Sequence, residues 1–166
     1  MIIDKFDGLY DFLSNFYECP VFYDGLWYRN SEAAFQAAKT LDTKMRKVFT
    51  ELSASKAKYL GRHIQLRDDW EKVKDEIMYK IVYTKFYHNK HLAQKLIDTF
   101  DAELVEGNHW GDCYWGVCGG KGQNKLGKIL MQVRKELQWI GPSESSKLQQ
   151  ADKFTKNNLC EDFNIV

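Results

Sequence analysis

The sequence predicts an α+β fold, a helix-dominated single domain with a small β-sheet. Six segments carry helical signals, and only three short runs read as strands. A length of 166 residues, with 44% hydrophobic and 14% aromatic residues, is enough for one sizeable core. The two prolines, Pro20 and Pro142, bracket a body with no linker, repeat or low-complexity tract.

In chain order, residues 21–28 (VFYDGLWY) form a hairpin. Two β-prone runs flank Asp24-Gly25, a pair suited to a two-residue type I′ turn. A helix starts at Asn30 or Ser31, either of which can cap it, and runs through residues 31–39, SEAAFQAAK. A second helix fits residues 42–52, and a third fits residues 53–60, closed by Gly61 as a C-terminal stop. The longest helix spans about Asp68 to His88, with Trp70, Val73, Ile77, Ile81, Val82 and Phe86 on its buried side. A shorter helix covers residues 92–100, and residues 103–107 (ELVEG) read as a short strand. The last helix runs from Leu126 to Trp139, with Leu126, Ile129, Leu130, Val133 and Leu137 at helical spacing. Beyond Pro142 the chain turns polar and aperiodic. The domain is therefore placed at residues 1–140 and a polar C-terminal tail at 141–166, docked on the surface or partly disordered.

With 24 basic and 23 acidic residues the net charge is +1, which argues against a strong general field for nucleic acid. Contact with a single nucleotide stays open. No apolar run approaches the length of a membrane span. The start, MIIDKFDGLY, has no apolar stretch behind a basic segment, so no signal peptide is expected. None of Cys19, Cys113, Cys118 and Cys160 are spaced C-x-x-C, and only His109 lies near Cys113 and Cys118. The expectation is reduced thiols in a cytoplasmic protein, with no metal site.

The densest chemical signal is residues 107–127, GNHWGDCYWGVCGGKGQNKLG. They hold seven of the eleven glycines and two of the five tryptophans, with Asp112 between Trp110 and Trp115. Glycine lets backbone approach a ligand closely, and tryptophan offers a flat face for a base or sugar. A binding site is the sharp reading; a glycine-rich turn region with both tryptophans packed inward is the plain one. In residues 31–39, Glu32, Gln36 and Lys39 sit at i, i+4 and i+7 and share one face among alanines. That stripe faces either solvent or a pocket. In residues 12–20, Ser14 and Asn15 lie among Phe12, Leu13, Phe16 and Tyr17, either as polar points in a ligand wall or as a local turn. The lysines between Lys44 and Lys58 read as a solvated helix face, with contact to phosphate as the alternative.

FLSNFY, SEAAFQAAK, SASKAKYLGR and ELVEGNHWGDCYWGVCGGKGQNKLGKILMQVR resemble, in order and spacing, the motifs of the NADAR family, which includes YbiA-like N-glycosidases. The resemblance covers about residues 6–137. It implies a compact α+β fold that cleaves N-glycosidic bonds at a ribose carbon, with no metal and no redox cofactor. The implied substrate is a small-molecule nucleotide of the early riboflavin pathway, or ADP-ribosylated guanine in nucleic acid. By motif position, Glu32 and Lys39 look like the ends of the family's E-x-x-F-Q helix. Trp110, Asp112 and Trp115 look like its W-G-D-x-x-W-G segment, and Asn15 and Phe16 like its S-N-F wall. Many members carry a histidine or aromatic after the helix glutamate. This chain has Ala33 and Ala34 there, a difference expected to reshape the pocket.

Departure of a base leaves a cation-like sugar centre, which two carboxylates can stabilise while water is activated. Glu32, Asp112 and Lys39 are therefore the expected catalytic residues, with Glu32 as general base or acid. Lys39 would hold Glu32 ionised, bind phosphate or attack an opened ribose. Ser14, Asn15, Phe16, Gln36, Asn108, Trp110 and Trp115 are the expected substrate-binding residues. The alternatives are a non-catalytic module that binds ADP-ribose or another nucleotide with the same side chains, and a nucleic-acid-binding module, against which the near-zero charge speaks.

Overall fold

The computed structural model describes residues 1–139; the tail expected at 141–166 lies outside them. The chain opens with strand β1 (Ile2–Ile3) and a 3-10 helix (Gly8–Leu13) that buries Phe12 and Leu13. Strands β2 (Glu18–Tyr23) and β3 (Leu26–Asn30) form the expected antiparallel hairpin. Asp24 and Gly25 take φ of 48° and 83°, the two positive values that a type I′ turn requires.

Strand β3 passes straight into helix α1 (Ser31–Ala37), and Asn30 serves both. Its side-chain oxygen accepts the Ala33 N–H at 2.8 Å as an N-cap, while its amide donates to Glu18 and to the Leu52 carbonyl. Every residue of α1 is buried. Its alanines permit this, because neighbouring elements can approach the backbone closely: α2 (Thr43–Phe49), α3 (Ala54–Leu60), α4 (Trp70–His88) and the hairpin all pack on it. Asp42 caps α2 by accepting the Lys44 and Met45 N–H groups.

Gly61 ends α3, but not by the left-handed turn of a glycine stop. Its φ is −63°. A side chain there would overlap the Gln36 amide, so Gly61 is small because α1 and α3 meet at this point. Helix α4 buries Trp70, Ile77, Ile81, Val82 and Phe86 as its spacing predicts, leaves Val73 half-buried, and adds Met78 and Lys85. Helix α5 (Lys90–Ile97) and helix α6 (Lys125–Trp139) close the core through Leu92, Leu96, Leu126, Leu130 and Val133.

The strand expected at residues 103–107 is divided. Strand β4 (Glu103–Leu104) pairs in parallel with β1, and β5 (Gly107–Asn108) pairs in parallel with β6 (Val117–Cys118). The described β structure is thus three two-stranded ladders rather than one sheet. Among the described residues, no helix is long and apolar enough to cross a membrane.

Candidate active site

A cleft of about 560 Å³ opens between α1, the 14–16 segment, the end of α3 and the loop from β5 to α6. Of the ten expected site residues, Ser14, Asn15, Phe16, Glu32, Gln36, Lys39, Trp110, Asp112 and Trp115 line it.

Helix α1 supplies the floor. Glu32 and Gln36 are 7% and 6% exposed, so the polar stripe faces the cleft and not bulk water. Gln36 donates through Nε2 to Glu32 Oε1 at 2.8 Å, and its own Oε1 is buried with no partner among the described residues. Burial pushes the Glu32 carboxyl above its ordinary range; the Gln36 hydrogen bond, Lys58 and Lys39 pull the other way. Burial likewise lowers Lys39, against the attraction of Glu32. Ala33 and Ala34 are fully buried in the core and are not among the residues that line the cleft.

The 14–16 segment is both a turn and a wall. Ser14 Oγ accepts the Phe16 N–H at 3.1 Å, as a local turn requires. Asn15 accepts the Glu32 N–H through its carbonyl at 3.0 Å and donates its amide to Met78 Sδ at 3.4 Å. Beneath it, the fully buried Lys85 donates to the Ser14 carbonyl at 2.8 Å, and burial lowers its pKa to about 8.

The glycine-rich loop is built around two side chains. Asp112 accepts the Tyr114 and Trp115 N–H groups on Oδ1 at 3.0 and 2.9 Å. Asn108 is its brace: the amide donates to the Asp112 and Val117 carbonyls, and Oδ1 accepts the Asp112 N–H. The structure therefore does not place Asn108 among the residues that line the cleft; both of its amide donations and its recorded acceptance hold the loop. Tyr114 anchors the loop from outside by donating to Asp75 at 2.6 Å, with the Lys74 and Lys125 ammonium groups near its ring. The two tryptophans divide. Trp115 packs edge-on against Phe35 at 5.3 Å, while Trp110 is 57% exposed at the mouth.

Glu106 and Lys58 were not among the expected site residues, and both line the cleft with Phe35, Met78 and Leu126. Lys58 is the lysine of its run that leaves the solvated face. Its ammonium lies 5.4 Å from the Phe16 ring centroid and 5.9 Å from that of Trp110. Glu106 Oε2 is buried without a hydrogen-bond partner among the described residues. Both residues fall inside segments already singled out, SASKAKYLGR and ELVEGN. The signal available was their position there; no local periodicity joins them to Glu32.

The NADAR domain profile matches residues 4–138. The chain belongs to the NADAR domain family. A NADAR relative, the N-glycosidase YbiA of Escherichia coli, is 40% identical over 132 residues, which cover 77% of this chain and 82% of YbiA. The NMR structure of E. coli YbiA superposes with a TM-score of 0.73 and 38% identity over 82% of this chain and 83% of that one. A riboflavin biosynthesis protein of Vibrio vulnificus is 41% identical over 140 residues, 82% of this chain, but the chain spans only 38% of that protein's length. The α+β fold expected from the sequence is thus that of the NADAR relative YbiA.

Proposed function

We propose that this NADAR protein is an N-glycosidase, a hydrolase that cleaves the bond between a ribose carbon and a base nitrogen. The observation that carries the reading is the convergence of buried Glu32, Asp112 and the tryptophans in one cleft, in a chain similar to proteins named N-glycosidases. Glu32 acts on the water or the sugar cation, and Gln36 holds its carboxylate by donating to Oε1. Asp112, with one oxygen pinned by two backbone N–H groups, presents the other to the ribose hydroxyls. Trp110 at the mouth and Trp115 against the floor stack on base and sugar. Lys39 and Lys58 favour the ionised form of Glu32. The substrate is a ribosylated base of the early riboflavin pathway or ADP-ribosyl-guanine. Cys19, Cys113 and Cys118 are free thiols, which suits a reducing compartment such as the cytoplasm.

The test is hydrolysis followed by mass spectrometry. Wild-type protein and Glu32→Gln receive the riboflavin-pathway ribosylamine and ADP-ribosylated guanine DNA in parallel. Glu32→Gln should stay folded, bind ligand, and lose about 10²–10⁴-fold in rate. Near-normal turnover by that variant removes Glu32 from the chemistry. Tight ADP-ribose binding without release from either substrate points instead to a nucleotide-binding module.

A further inference from the structure

We propose that Glu106 is the general acid of this cleft, donating its carboxyl proton to the nitrogen of the departing base while Glu32 receives a proton from the attacking water. This rests on the N-glycosidase reading and gives the reaction its direction.

Geometry carries the assignment. Glu106 lines the same cleft as Glu32 and Asp112. The three carboxyl groups differ in what they are given to bind. Glu32 accepts from Gln36, and Asp112 accepts from two backbone N–H groups. Glu106 Oε2 is buried with no donor among the described residues. A buried carboxylate oxygen without a donor is far costlier than the neutral acid, so the proton shared among these groups rests on Glu106. The stem is held in place as well. The Glu106 N–H donates to Asn124 Oδ1 at 3.0 Å, and its carbonyl accepts the Val117 N–H at 2.8 Å. Gly116 lies against the same side chain: a Cβ there would come within 3.0 Å of Glu106 Cγ and overlap its carbonyl oxygen.

Charged groups reach Glu106 from every side. Asp112 on the loop and Glu32 on α1 disfavour its ionisation; Lys58 on α3 and Lys85 on α4 favour it. Burial adds to the carboxylates and prevails, lifting the carboxyl to about 7. Burial raises Glu32 too, opposed by the hydrogen bond from Gln36 and by Lys58 and Lys39; what sets the two apart is that Glu32 has a side-chain donor and Glu106 Oε2 has none among the described residues.

In the step itself the Glu106 O–H bond breaks and its proton goes to the base nitrogen. The C1′–N bond breaks with its electron pair left on that nitrogen. The water oxygen forms the new bond to C1′, and its proton passes to Glu32. The products are a ribose bearing a C1′ hydroxyl and the base, which is free when it comes from the ribosylamine and remains in the strand when it comes from ADP-ribosylated DNA. Glu106 ends as carboxylate and Glu32 as acid, and one proton exchanged through solvent restores both.

The experiment is the pH profile of kcat/KM for wild type, Glu106→Gln, Glu106→Asp and Glu32→Gln, on the ribosylamine and on ADP-ribosylated guanine DNA. Wild-type activity should fall as pH rises through about 7, because the acid must carry its proton. Glu106→Gln should lose about 10²–10⁴-fold at pH 6 and have no basic limb. Glu106→Asp, which keeps an acid in altered surroundings, should retain a limb displaced from that of wild type. Glu32→Gln should keep the basic limb at its low residual rate. Active wild type with Glu106→Gln at a similar rate, or a basic limb at the same pH in both Glu106 variants as in wild type, overturns the assignment and leaves the N-glycosidase reading standing. Wild type inactive on both substrates overturns the two together.

Discussion

Gly61→Ala tests whether the cleft floor depends on the close approach of α1 and α3. Gly61 has φ of −63°, a conformation alanine adopts freely, so on backbone grounds alone the substitution should stabilise by about 0.4–1 kcal/mol. Packing opposes this. The new Cβ would overlap the Gln36 amide oxygen and come within 2.6 Å of Cδ and 2.9 Å of Cβ. The amide end is the flexible part of the side chain, but Cβ is tied to the α1 backbone, and Gln36 is only 6% exposed. Overpacking of this kind costs about 1–3 kcal/mol, leaving a net loss centred on about 1.3 kcal/mol and no larger than about 2.6 kcal/mol. For a chain of 166 residues the central value lowers Tm by about 3–5 °C. Displacing Gln36 also breaks its hydrogen bond to Glu32, so hydrolysis should fall with stability. The assay is thermal denaturation followed by circular dichroism, on Gly61→Ala alone and in a Gln36→Ala background. With the amide gone its overlap is removed and only the 2.9 Å approach to the residue-36 Cβ stays, so the alanine should cost less than it does beside Gln36, a coupling of about 0.5–3 kcal/mol. A Gly61→Ala protein as stable as wild type, with no coupling to Gln36, would refute the reasoning.

Other perturbations separate the brace from the face it holds. Asn108→Ala strips partners from the Asp112 N–H and from the Asp112 and Val117 carbonyls. It should cost about 1–3 kcal/mol and speed amide exchange across residues 109–117; unchanged protection there would show that the loop holds itself. Trp110→Ala, at an exposed position, should shift stability by no more than about 0.5 kcal/mol. It should weaken nucleotide binding, measured by calorimetry, by about 1–3 kcal/mol if the ring stacks on a base; undiminished affinity rules out that role. Lys85 introduces a pH dependence of known sign. Between about 8, its value in the fold, and 10.5, its ordinary value, the unfolded chain binds more protons on this group than the native one. Stability should therefore rise with pH across that window, and the rise should be missing from Lys85→Met. Denaturant titrations at pH 8 and pH 10 decide it.

Local signals in the sequence determined the elements. Asp24-Gly25 set the hairpin turn, Asn30 the start of α1, and the spacing of Ile77, Ile81, Val82 and Phe86 the buried side of α4, because turn conformation, capping and helical period act within a few residues. The same local logic put Glu32, Gln36 and Lys39 on one face but was silent on what that face meets. Only tertiary packing aimed it into a cleft. Gly61 shows the limit from the other direction: its place at the end of a helix suggested a stop, whereas its smallness answers to Gln36 on another helix. Asn108 lay among the presumptive ligand contacts and proved to brace the loop, because hydrogen bonds across a loop leave no periodic trace. Glu106 and Lys58 come from distant parts of the chain, and their nearness to Glu32 and Asp112 exists only in the fold. Chain neighbours within a turn determine conformation, while strand pairing, burial and charge depend on groups that meet only after the core has closed, so the hairpin and the helices were legible in the sequence, and the short parallel pairs of β1 with β4 and β5 with β6 and the electrostatics of the cleft were not.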